Sequence, residues 1–143
     1  MIAVDTNILV YAHREDSPWH VQALRLLLGL AEGSARWAIP WPCVHEFLAI
    51  ITHPRIYRPP TPLPVALNAM RAWLDSPMLA CIGEAENHLD RLAAVAAKAK
   101  AVGPMIHDAR IVAICLNHGV RELWSSDRDF SRFQGIKIVN PLL

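Results

Sequence analysis

Two short apolar runs, one near each end of the chain, stop at a carboxylate that sits beside hydroxyl or amide residues. Ile2-Ala3-Val4 leads into Asp5-Thr6-Asn7, and Leu123-Trp124 leads into Ser125-Ser126-Asp127. An unbroken apolar run of this kind suits a strand buried on both faces, as in a parallel sheet. In an open α/β sheet the carboxyl ends of the strands share one edge, and ligands bind there. Acids far apart in sequence can therefore meet.

The intervening segments alternate between strand and helix signals. Residues 1–4 read as a strand and residues 6–13 as a short helix. Ser17-Pro18 supplies a capping hydroxyl and a proline suited to the first helical position. Val21, Leu24, Leu27, Leu28 and Ala31 then recur at helical spacing until Gly33. Residues 36–39 read as a second strand. Pro42 opens a helix with Val44, Phe47, Leu48 and Ile51 on one face, and Pro54 ends it. Prolines 54, 59, 60, 62 and 64 look like a domain linker, but too little chain precedes them, so a rigid surface crossing fits better. Thr61-Pro62 caps a helix running through Leu74, and residues 78–82 form a third strand. Residues 84–102 predict the longest helix, stopped by Gly103-Pro104. Residues 105–117 predict another, apolar almost all round and hence buried. A strand at 122–125, a short helix near 129–133 and a strand at 136–139 follow.

This alternation predicts one α/β domain over residues 1–143. Its centre is a mostly parallel five-stranded sheet flanked by helices on both faces and joined by right-handed crossovers. Strand order is left open by the pattern.

Fourteen basic and thirteen acidic side chains leave a formal net charge of +1. That argues against nucleic-acid binding by bulk attraction, though not against a local basic rim. Cys43, Cys81 and Cys115 lie apart in apolar segments with no CxxC pair, which predicts buried free thiols, a reducing compartment and a cytoplasmic location. No apolar run approaches the ~20 residues of a membrane helix, and Asp5 interrupts the first one, so neither a membrane nor a signal peptide is expected. The chain lacks a GxxxxGK loop and an HExxH pair, which removes P-loop and zincin chemistry.

Each acid has a modest explanation of its own. Asp5 and Asp127 are well placed to cap the helices that follow. Asp108 and Asp129 lie in first turns, where a carboxylate gains roughly 0.3–1 kcal/mol from the helix dipole. Glu46 stands among small or apolar helix neighbours, Cys43, Ala49 and Ile50. As a set they ask for more. Two like charges ~4 Å apart cost about 4 kcal/mol at an effective dielectric near 20. Several such pairs would rival the ~5–15 kcal/mol stability of a domain. Gathered acids must protonate, stay wet or bind cations. Mg²⁺ and Mn²⁺ take oxygen ligands and do phosphate chemistry.

Val4-Asp5-Thr6-Asn7, Glu46 in the helix after the second strand, His107-Asp108-Ala109 and Ser125 to Phe130, in that order, resemble the PIN-domain ribonucleases. More narrowly, the chain resembles the VapC toxins of bacterial toxin–antitoxin pairs, over its whole length. The resemblance implies Asp5, Glu46, Asp108 and Asp127 as the acidic catalytic positions. Asp5, Asp108 and Asp127 would hold Mg²⁺ or Mn²⁺, and Glu46 would orient or deprotonate the attacking water. Thr6, Asn7, Ser125 and Ser126 match the supporting neighbours, and Asp129 an acid whose role varies. Arg110 and Arg128 are the first candidates for RNA phosphate contacts. An RNA substrate, a homodimer and a cognate antitoxin are also implied, and the helix hairpin over residues 42–75 offers the antitoxin a groove. The competing expectation is a PIN-like module that grips RNA or a protein without cutting. Trp19, Trp37, Trp41, Trp73 and Trp124 are each either core or interface anchors.

Overall fold

The structure, a computed structural model, describes residues 1–143. Its strands β1 (Ile2–Val4), β2 (Trp37–Pro40), β3 (Leu79–Ile82), β4 (Glu122–Trp124) and β5 (Lys137–Val139) form one sheet in the order β3-β2-β1-β4-β5. All four pairings are parallel, where the alternation predicts a mostly parallel sheet. Ala3 of β1 lies level with Ala38 on one side and Leu123 on the other. The chain builds outward from β1 to β3, then crosses back to place β4 on the far side of β1. That reversal makes the carboxyl ends of β1 and β4 a topological switch point, where an open parallel sheet leaves a crevice. Asp5 and Asp127 follow the two strands that border it.

Between β1 and β3 run α1 (Thr6–His13), α2 (His20–Glu32), α3 (Trp41–Ile51) and α4 (Leu63–Leu74); α5 (His88–Ala99) and α6 (Met105–Asn117) join β3 to β4. A 3₁₀ helix, Arg128–Arg132, precedes β5. Helix α1 packs on both α2 and α3, α3 packs on α4, and α5 packs on α6. Right-handed crossovers that progress in opposite directions put these two groups on opposite faces of the sheet. The core between them holds Trp37, Phe47, Ile39, Val112 and Leu123, all fully buried. Helix α6 buries an unbroken run, Ile111 through Cys115, which is why its sequence shows no polar face.

Two helices differ in extent from the sequence pattern. The helix expected over 84–102 spans only His88–Ala99, so α2 and α6, at 13 residues each, are longer than its 12. Glu84 is instead held by Arg110 across to α6, and Lys100 turns left-handed at φ 54 while donating to the Ala96 and Ala97 carbonyls. Long-range pairing thus trims both ends. Likewise α2 starts at His20, because the Ser17 hydroxyl accepts from Trp19 N–H at 3.1 Å and organises a turn ahead of the helix.

The proline-rich crossing is pinned rather than loose. Thr61 N–H donates to Ile51 O at 2.8 Å. Arg14 donates to Pro59 O at 3.1 Å and lies 4.2 Å from the Tyr57 ring centre. The three cysteines are free, Cys43 and Cys115 buried and Cys81 partly so. No helix is long and apolar enough to cross a membrane.

Candidate metal centre at the switch point

Asp5 ends β1 and caps α1, and both of its oxygens are occupied by donors. Oδ1 accepts from Thr6 N–H at 2.8 Å and from the Cys43 thiol at 3.5 Å. Oδ2 accepts from the Ser125 hydroxyl at 2.7 Å and from the Asn7 amide at 3.2 Å. An ionised carboxylate offers about four lone-pair sites, so this one is saturated. Helix capping and membership of the acid cluster are compatible roles for it.

Ser125 ties β1 to β4. Its hydroxyl donates to Asp5 and accepts from Asn7 Nδ2 at 3.2 Å and Asp127 N–H at 3.0 Å. Asn7 Oδ1 in turn accepts from Ser126 N–H at 3.1 Å. Ser126 therefore enters this network through its backbone, and Ser125 through its side chain. Asp127 Oδ1 accepts from Asp129 N–H at 2.9 Å and caps the 3₁₀ helix.

Asp108, Asp127 and Asp129 each place a carboxylate oxygen within 4.8 Å of the others. Asp108 comes from the first turn of α6 and the other two from the segment after β4. The structure thus adds Asp129 to Asp108 and Asp127, while Asp5 stands beside them with its oxygens already engaged. No lysine or arginine neutralises the group: the two ion pairs of the molecule are Arg14–Asp16 and Arg110–Glu84. Arg110 is thereby occupied away from the acids, whereas Arg128 is exposed and unpaired beside Asp127.

Glu46 lies outside the group of three. It is exposed over much of its surface, yet burial leads the causes that raise its pKa, followed by the charges of Asp5, Asp108 and Asp127. The residue meets solvent while its charge feels the acids. Thr6 partly offsets that rise, and its hydroxyl is buried without a hydrogen-bond partner. Cys43 was not among the candidate site residues, although its position three residues before Glu46 put it on the same stripe of α3.

The proton affinities agree with this crowding. Burial, then the charges of Asp127, Asp5 and Asp129, raise Asp108 from 3.8 to about 6. Burial raises Asp5 too, against the hydrogen bonds from Ser125, Thr6 and Cys43. A carboxyl with a raised folded-state pKa holds more protons when folded than when unfolded, so stability falls as pH rises from about 4 to about 6. In EDTA, the melting temperature of the wild type should therefore lose more between pH 5 and pH 7 than that of Asp108→Asn. Parallel pH profiles for the two proteins in differential scanning calorimetry would contradict this electrostatic assignment.

A family model described as PIN domain matches residues 2–136. Ribonuclease VapC48 of Mycobacterium tuberculosis is 32% identical over 137 residues, which cover 96% of this chain and 94% of that protein. Among solved structures, M. tuberculosis VapC20, a Sarcin-Ricin loop cleaving toxin, superimposes with a TM-score of 0.67 at 16% identity, over 92% of this chain and 93% of its own. VapBC2 from Rickettsia felis, solved with a DNA fragment from its promoter, gives a TM-score of 0.66 at 16% identity over 97% and 98%.

Proposed function

The chain belongs to the PIN-domain family, and from that premise we propose that it is a metal-dependent endoribonuclease acting as the toxin of a toxin–antitoxin pair. One observation carries the reading: acids from four separate segments converge at the sheet's switch point with no cation of the protein to neutralise them. The donor set is oxygen only, which suits Mg²⁺ or Mn²⁺ better than softer ions. The neighbouring Cys43 is fully buried and its thiol pKa is raised, so it stays protonated and adds no thiolate.

Asp108, Asp127 and Asp129, with Asp5 as the hydrogen-bond-locked charge beside them, would hold the ion. Once bound, it would polarise the phosphodiester and lower the pKa of water. Glu46, with its raised proton affinity, receives the proton of the attacking water at a carboxylate oxygen. The water oxygen bonds to phosphorus as the bond to the leaving ribose oxygen breaks. Ser125 and Asn7 keep Asp5 and Asp127 in register by joining the ends of β1 and β4, the work of a supporting layer behind ligands. Arg128 is the arginine placed to meet an RNA phosphate.

A cognate antitoxin and a second copy of the chain are the protein partners of this reading. The hairpin of α3 and α4 exposes Leu63 and Val65 near its turn and Trp41 at its open end, apolar side chains that an antitoxin would cover. Three free thiols fit a cytoplasmic location. Purified protein given bacterial transfer and ribosomal RNA should yield discrete fragments in Mg²⁺ or Mn²⁺ and none in EDTA. Intact RNA with both ions would overturn the proposal.

A further inference from the structure

We infer that Trp19, Arg128 and Asn140 form a subsite for one nucleotide of single-stranded RNA next to the bond that is cut, with the Trp19 indole stacking on the base. This rests on the nuclease reading for its position. Two cavities, of about 330 and about 260 Å³, have Ser126, Arg128, Asn140 and Leu143 in common and so adjoin as one trough. Ser125 and Asp127 line its near end, at the acid cluster. Tyr11 and Trp19 line its far end, where no aspartate or glutamate side chain is present.

Arg128 sits where the two cavities meet and has no carboxylate partner. Its charge is free for a phosphate, which neither Arg14 nor Arg110 can match. Trp19 is 38% exposed between α1 and α2 and pairs with no other ring. An aromatic face beside an unpaired arginine is the combination that holds single-stranded nucleic acid, because every base offers a π-face. Asn140 Oδ1 accepts from Leu142 N–H at 3.1 Å, which leaves the amide N–H donors for a base acceptor. A trough that starts at a phosphate-cutting centre and continues through a cation to an indole follows the order phosphate, backbone, base.

The test uses the Glu46→Gln protein in Mg²⁺, so that RNA is bound but not cut, with a fluorescein-labelled 12-nucleotide RNA of randomised sequence. By anisotropy, Trp19→Ala should weaken binding about tenfold, with Trp19→Phe retaining most of the affinity. Arg128→Ala should also weaken binding and flatten the dependence of log Kd on log salt by about one. Trp19→Leu, which keeps apolar bulk without a π-face, carries the comparison if the alanine variant does not fold. An affinity within twofold of the parent for Trp19→Leu or Trp19→Ala overturns the subsite, as does a variant that loses antitoxin co-purification while RNA binding is unchanged. If the wild-type protein cuts no RNA at all, the nuclease reading fails separately, and the binding comparison still decides the subsite.

Discussion

Asparagine in place of Asp108 should lower metal-dependent RNA cleavage by at least about a hundredfold, since metal stabilisation of a phosphoryl transition state is worth several kcal/mol. The same change should raise the melting temperature in EDTA. Asp108 is half-buried and makes no hydrogen bond or ion pair, and its proton affinity is raised first by burial and then by the charges of Asp127, Asp5 and Asp129. Its shift from 3.8 to about 6 corresponds nominally to about 3 kcal/mol of unfavourable charge, which solvent access reduces to about 1 kcal/mol. In a domain near this size that moves the melting temperature by roughly 2–4 °C. Function and stability therefore pull in opposite directions at this residue. A variant that melts lower than wild type in EDTA, or that cleaves RNA at the wild-type rate, would show that Asp108 is not part of a repulsive metal-binding group. Asp5 is the poorer choice for this experiment. Its four partners are all donors, and an asparagine amide would turn N–H groups toward some of them, so lost activity would be confounded with lost hydrogen bonds.

Glutamine in place of Glu46 should cost about 10²–10⁴-fold in kcat, the usual range for a proton-transferring side chain. Unlike Asp108→Asn, it should keep the rise in melting temperature on adding Mg²⁺, because the three acids whose oxygens lie together do not include Glu46. The two readouts separate a base from a ligand. Differential scanning fluorimetry with and without Mg²⁺, beside single-turnover cleavage, makes the measurement. Loss of the Mg²⁺ shift in Glu46→Gln would move this residue into the group that holds the ion, and unchanged kcat would remove it from the chemistry. The raised proton affinity of Glu46 has the same sign as that of Asp108. Cleavage should consequently fall on acidification through this range, as protons compete for the cluster and for the base.

Sequence alone determined the parts that depend on near neighbours. Apolar runs that stop at Asp5 and at Ser125, just before Asp127, identify β1 and β4, because the middle of a strand covered on both faces is apolar; Glu122 stands only at the entry of β4. Prolines and capping residues place helix ends well where nothing distant intervenes, as at α3 and α6. The α/β class with a mostly parallel sheet followed from the alternation, and the folded chain makes every pairing parallel. What the tertiary structure decided were the pairings across the fold. Setting β1 between β2 and β4 is what puts Asp5 and Asp127 at the same crevice, and no local signal encodes which strand lies beside which. Ser125 as the knot between those strands, Asp129 as the third open carboxylate, and the thiol of Cys43 on Asp5 all depend on that adjacency. Arg110 shows the converse: its sequence position beside Asp108 suggested a phosphate contact, but Glu84 on the far side of a crossover holds it. A hydrogen bond or ion pair is read at about 3 Å, and only the folded chain sets which residues come that close.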